Sequence, residues 1–219
     1  MWDGLVRLQR ALPGTVRVVV LRGAGRAFSA GLDRACLADV RALAELPEAA
    51  ATARVAEWQR AFDWSSRPAL VSVAAVHGHA VGAGFQLALG CDLRLVAADA
   101  RFTMGEAAIG LVPDLGGTKR LVDLVGYSIA ADICLTGRPI GAEEALCVGL
   151  ASRVVEPDAL DAVVDETVAA LLAVDRDAAT ETKALLRAAA THTQDEQQAA
   201  ERAAQYRRLR AIAGLDAED

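Results

Sequence analysis

The 219 residues are 53% hydrophobic, only 4% aromatic and 24% charged, with a net charge of −6; this fits a folded domain with an Ala/Val/Leu core and excludes wholesale disorder. No basic block suits nucleic acid or an anionic membrane surface, since the densest run, Arg207-Arg208-Leu209-Arg210, falls in a segment that reads as a solvated helix. No stretch approaches the roughly 20 apolar residues of a membrane span, and Met1-Trp2-Asp3-Gly4 lacks the basic start of a secretory signal.

Residues 4–12 predict a short amphipathic helix, stopped by Pro13-Gly14. The β-branched run 16–21 predicts a strand buried on both faces. A first glycine-bearing loop, 23–31, follows. Residues 34–64 read as helical with a break at Pro47, and form a candidate substrate lid. A second buried strand is expected over 69–76, then a second glycine-rich loop, Gly78-His79-Ala80-Val81-Gly82-Ala83-Gly84, which opens an apolar helix over 83–90. Short strands are expected at 93–97 and 101–104, before a loop rich in Gly, Pro and Asp over 105–117. From Thr118 the pattern is helical almost to the end, with breaks at Gly126, 137–141, 149–153, Pro157 and about Asp175. Alternating strands and helices followed by a helical tail place the chain in the α/β class.

Cys36, Cys91, Cys134 and Cys147 are scattered, with neither CxxC nor a Cys/His pair at zinc spacing. They read as reduced thiols of a cytoplasmic protein, and no metal site is expected. His77 and His79 flank Gly78 without a nearby nucleophile or third ligand, and read as core or rim histidines; His192 reads as a surface residue.

The two strand–glycine loop–helix units are the chemically informative part. Neither matches GxxxxGK(S/T), and the second is Gly78-x-x-x-Gly82-x-Gly84 rather than GxGxxG, so a dinucleotide fingerprint is not supported. Taken alone, each loop is equally open to anion binding at a helix start and to plain turn chemistry.

The wider pattern decides between them. Phe28-Ser29-Ala30-Gly31-Leu32-Asp33 resembles the F-(S/C)-(A/S)-G-x-D loop of the crotonase, or enoyl-CoA hydratase/isomerase, family. His77 to Leu87 resembles its NGxAxGxGxxL segment. Cys91-Asp92-Leu93-Arg94 with Ala98 to Phe102, Gly110 to Leu121 with Gly116-Gly117-Thr118, and Leu135-Thr136-Gly137-Arg138 with Ala145 to Val155 are similar to the family's later elements, in the family's order.

The resemblance implies an α/β crotonase spiral of β/α turns over residues 1–156, starting beyond the family's usual N-terminal strand pair. A C-terminal helical region over 157–219 is expected to assemble the chain into a homotrimer or a dimer of trimers. It implies an acyl-CoA substrate, with coenzyme A arriving as part of that substrate and no separate cofactor, and no nucleic-acid or membrane partner. The backbone N–H groups of Leu32 and Ala83 are the implied oxyanion hole. Ala30, Gly31, Asp33, Gly82, Gly84 and Gln86 surround the substrate, Asp33 fixing its loop. Hydratases of this type use two glutamates. Here the first position is Gln86, which can orient groups but cannot move a proton, and the second is Glu106. Asp114 lies where other members carry a catalytic aspartate. The pair Glu106 and Asp114 therefore carries the expected acid/base work, as isomerisation or as assisted hydration. The plainer alternatives stay open: Glu106 and Asp114 as helix caps, Gln86 as a backbone tie, and the chain as a non-catalytic acyl-CoA binder.

Overall fold

The computed structural model describes residues 1–33 and 37–215; Cys36 lies outside the described residues. In chain order the elements are α1 Trp2–Ala11, β1 Val18–Arg22, α2 Leu37–Ala44, α3 Glu48–Gln59, β2 Val71–Val76, β3 His79–Val81, α4 Ala83–Leu89 and β4 Leu93–Ala97. They continue with β5 Arg101–Thr103, α5 Gly117–Thr136, β6 Ile140–Gly141, α6 Ala142–Cys147, β7 Arg153–Val155, α7 Leu160–Ala173, α8 Arg176–Ala188 and α9 Gln194–Ile212. One sheet is parallel throughout, in the order β1-β2-β4-β7, and a smaller one runs β3-β5-β6 with β6 antiparallel.

The central strands are apolar on consecutive residues because both faces are covered. Side chains alternate across a strand, so Ala74, Val76 and Val96 enter the core shared with α4, α5, α6 and the small sheet. Val73, Ala75, Leu95 and Ala97 point the other way and are covered by Leu160 and Val164 of α7. The expected boundary at 157 thus divides the chain but not the core, since α7 completes the large sheet.

β1 differs from its expected double burial. It pairs only with β2, along Val18↔Val71 to Arg22↔Ala75, and its residues are half-buried or exposed because it forms a sheet edge. β3 lies where the sequence reads as loop, and β7 where it reads as a gap between helices. Each has three residues, too few to show a period, and exists through its pairing with β5 and β4 respectively. Gly126, read as a break, kinks α5 with φ 77° and ψ 163°.

Two buried cations join distant segments. Arg94 on β4 is 4% exposed and donates to the carbonyls of Leu150 (2.6 Å) and Cys91 (2.7 Å), and more weakly to that of Ala88 in the last turn of α4 (3.4 Å). A cation is well placed at a helix C-terminus. Lys183 of α8 donates to Asp92 at 2.8 Å and to the Leu70 carbonyl, and the same Asp92 oxygen accepts from the N–H and hydroxyl of Ser72. Arg17, just before β1, donates to the carbonyls of Leu172 (2.9 Å) and Val174 (2.7 Å) at the end of α7.

Candidate active site

The first glycine-bearing loop runs back alongside β3. Ser29 N–H donates to the His79 carbonyl, Val81 N–H donates to the Ser29 carbonyl, and Ser29 and Ala80 form a parallel bridge. This sets Ala30, Gly31 and Leu32 next to Val81, Gly82 and Ala83 at the start of α4. Gly82 turns the chain there with φ 51° and ψ −116°, a region that favours glycine. Its N–H donates to Thr103 and its carbonyl accepts from Gln86 N–H. Ala83 is the first residue of α4, so its own N–H has no acceptor within the helix.

A cavity of about 370 Å³ opens in front of these segments. Both loops line it, together with Trp2, Val40, Leu43 and Trp58 on one side and Ile109, Leu111, Val112 and Leu115 on another. Its only ionisable lining side chains among the described residues are Glu106 and Asp114.

Glu106 opens a 3-10 turn, Glu106–Ile109, and is 9% exposed. Gln86, completely buried on α4, donates from Nε2 to its Oε1 at 2.8 Å. The Gln86 Oε1 accepts the N–H groups of Leu115 (2.9 Å) and Gly117 (3.2 Å). Glu106 Oε2 is buried without a hydrogen-bond partner among the described residues. Asp114 is placed through its carbonyl, which accepts from Gln59 at the end of α3 at 2.7 Å.

The enoyl-CoA hydratase/isomerase family model matches residues 8–212. The chain belongs to this family. A Thermobifida fusca YX protein assigned as an enoyl-CoA hydratase and solved in complex with CoA superposes with a TM-score of 0.90 at 46% identity, covering 98% of this chain and 84% of that one. The short-chain-enoyl-CoA hydratase of Clostridioides difficile is 48% identical over 90 residues, 41% of this chain and 57% of that protein. That of Clostridium acetobutylicum is 44% identical over 88 residues, 40% of this chain and 34% of that protein. The chain spans about half the length, or less, of the curated relatives it matches.

Set in the family's frame, Ala30, Gly31, Leu32, Gly82, Ala83, Glu106 and Asp114 all line one cavity. Gly84, Gln86 and Asp33 stand outside its wall. Gly84 packs on Ser29, Gln86 lies behind Glu106, and Asp33 is exposed. Gln86 is therefore more than a backbone tie: it holds a cavity carboxyl and the 115–117 backbone at once. Neither carboxylate is a cap. α5 is preceded by Gly116, with no side-chain bond to its first turn, and the Glu106 turn is preceded by Gly105. The sequence reading expected the 34–64 segment at the substrate, and Val40, Leu43 and Trp58 are there; Trp2 it missed, though a tryptophan is conspicuous in a chain this poor in aromatics. His77, half-buried, bonds the Gly25 carbonyl at 2.9 Å and ties the first glycine loop to the end of β2, while His79 and His192 are exposed. Among the described residues no three His, Cys, Asp or Glu converge on a metal position, and no helix is long and apolar enough to cross a membrane.

Burial raises the Glu106 carboxyl above its ordinary value of 4.5; its own backbone N–H and then the Gln86 hydrogen bond partly oppose this, and the Asp114 charge adds to it. Asp114 keeps an exposed edge, and partial burial raises it in the same direction. The folded chain thus binds the Glu106 proton more tightly than the unfolded chain does. The Glu106 contribution to folding stability therefore falls as pH rises from the ordinary glutamate range through the raised folded value, and stays reduced above it. Glu106→Gln removes that ionisation. We expect the variant to resist urea better than wild type at about pH 8, with the gap in midpoints closing near pH 4. Equal gaps at both pH values would show that burial does not hold this proton.

Proposed function

We propose that the chain is an enoyl-CoA hydratase/isomerase-type enzyme acting on an acyl-CoA thioester through a stabilised enolate. The observation that carries this reading is an apolar cavity whose two ionisable lining groups, the only ones among the described residues, stand with the paired glycine-loop backbones around one space. A thioester carbonyl set against the Leu32 and Ala83 N–H groups gains two donors where charge collects as a proton leaves. Each such donor is worth on the order of 3–4 kcal/mol of barrier. In the proposed step a carboxylate takes a proton from the acyl chain and the electron pair moves onto the thioester oxygen. The carboxyl then returns the proton at a second carbon. In hydration the carboxylate instead takes a proton from a water whose oxygen bonds to the β-carbon, the electron pair of the double bond moves onto the thioester oxygen, and a carboxyl then protonates the α-carbon. Glu106 and Asp114 are the groups that would move these protons. Relatives named as hydratases and a Thermobifida fusca neighbour solved with acetoacetyl-CoA support the substrate class.

Coenzyme A enters as part of the substrate, and the proposal needs no other cofactor. The exposed apolar side chains of α8 and α9, Leu186, Tyr206, Leu209 and Ile212, support assembly as a homotrimer or dimer of trimers. The unpaired thiols Cys91, Cys134 and Cys147 support a reducing, cytoplasmic setting. One observation favours the second reading, a non-catalytic acyl-CoA binder: the buried side chain behind Glu106 is an amide, which moves no proton.

The test is solvent deuterium exchange into crotonyl-CoA and a 3-enoyl-CoA, with product analysis. Exchange into either supports the enolate, and the product separates hydration from isomerisation. Tight binding of both without exchange or conversion would leave the binder reading in possession.

A further inference from the structure

We propose that Gln86 is a positioning residue: it confines the transferable proton of Glu106 to Oε2 and ties that carboxyl to the loop carrying Asp114, so that the two carboxylates act as one preset pair. The inference rests on the reading of Glu106 and Asp114 as the acid/base groups and adds to it which oxygen works and what sets it.

The amide orientation follows from chemistry. Two backbone N–H groups, of Leu115 and Gly117, point at one end of the Gln86 side chain. Only the amide oxygen accepts them, so the NH₂ end faces Glu106. That NH₂ can only donate. Glu106 Oε1, 2.8 Å away, is therefore an acceptor whether the carboxyl is ionised or neutral. Its proton, when present, sits on Oε2, the oxygen that is buried without a hydrogen-bond partner among the described residues. A carboxyl usually has two equivalent oxygens and can deliver a proton from either. This one has a single working oxygen.

Packing holds the arrangement. The side chain is completely buried, and a Cβ added at Gly117 would lie 2.6 Å from Gln86 Cγ, so the amide has no room to swing away. Gly82 closes the other side: a Cβ there would lie 3.1 Å from Glu106 Oε1. The same amide oxygen fixes the residue after Asp114, so a displacement of Glu106 is felt at Asp114 through two hydrogen bonds in series. Among the described residues, the groups that act electrically on Glu106 are its own backbone N–H, Gln86 from α4 and Asp114 from the cavity wall; Cys134 of α5 feels it in turn, its thiol raised by burial and then by the Glu106 charge. A glutamate at position 86 would keep both backbone bonds, but would place a second carboxyl at this distance from Glu106 and force the two to share one proton.

The test combines carboxyl carbon-13 NMR titration of Glu106, read in the free protein, with the acyl-CoA exchange assay, on wild type, Gln86→Met and Gln86→Glu. Removing the donor with Gln86→Met should move the Glu106 midpoint up by about one pH unit. It should also lower exchange about tenfold or more at fixed pH while changing KM little. Gln86→Glu, which keeps the two backbone contacts and so the fold, should replace one titration step by two coupled ones. A Glu106 titration unchanged in both variants overturns the placement. If the titrations move as expected while wild type exchanges no acyl-CoA, the placement stands and the acid/base reading of Glu106 falls. A purely structural role would lower stability and exchange without moving either titration, and that result too counts against the proposal.

Discussion

Glu106→Gln is expected to lower deuterium exchange into the acyl-CoA substrate by on the order of 10²–10⁴-fold, the range for losing a positioned proton-transfer group. The substitution is nearly isosteric. The amide oxygen of the new side chain can still accept from Gln86 Nε2, so the 106–109 turn and the 115–117 backbone keep their places. What disappears is the ionisable oxygen that lacks a protein partner. Affinity for acetoacetyl-CoA, measured by calorimetry, should stay close to wild type, because the apolar wall and the loop backbones are untouched. A large loss of exchange at constant affinity places Glu106 in the reacting step. Exchange within about threefold of wild type would remove Glu106 from the mechanism and leave Asp114 as the remaining carboxylate.

The second large effect is expected at a residue with no chemistry of its own. In Gly84→Ala, the new Cβ would lie 2.4 Å from Ser29 Cβ and 2.6 Å from its hydroxyl. Neither atom is the far end of a flexible chain, so α4 and the 28–32 segment must part. These are the two elements that carry the Ala83 and Leu32 N–H groups. A relative shift of about 1 Å between donors and reacting atoms costs on the order of 10²-fold in rate. Alanine is the better helix former by about 1 kcal/mol, so any loss runs against local propensity and reports the packing. Adding Ser29→Gly removes both clashing atoms and should restore most of the exchange. Wild-type rates in Gly84→Ala alone would show that the approach of these segments does not set the positions of the Leu32 and Ala83 N–H groups.

The large-scale order of the fold was legible because its central pieces carry strong local signals. The consecutive apolar residues of β2 and β4 reflect burial on two faces, and the breaks at Gly126, Pro157 and Asp175 fall at real ends or kinks. The edge position of β1 was not legible, because a β-branched run looks the same whichever strand it joins. β3 and β7 escaped because pairing, not periodicity, makes them. At the site, motif resemblance brought together Ala30, Gly31, Leu32, Gly82, Ala83, Glu106 and Asp114, which line one cavity. It offered Gln86 as an orienting group or a backbone tie but did not name its partners, which lie 20, 29 and 31 residues away. A hydrogen-bond hub of that span leaves no pattern in the local sequence. The same holds for Trp2, which meets the cavity only through the packing of α1 on the turn at Phe62, their rings 4.8 Å apart.

The cover that α7 gives the large sheet has a consequence for how the chain is made. Val73, Ala75, Leu95 and Ala97 are synthesised well before Leu160 and Val164 exist to shield them. Until the ribosome has released the chain to about Val174, whose carbonyl also receives Arg17, one side of the parallel strands is bare aliphatic surface. Such contacts form late, since a long loop must close before they repay its entropy. The nascent chain is therefore at its most adhesive while the loops that line its cavity are already complete, and in this interval a chaperone would engage it.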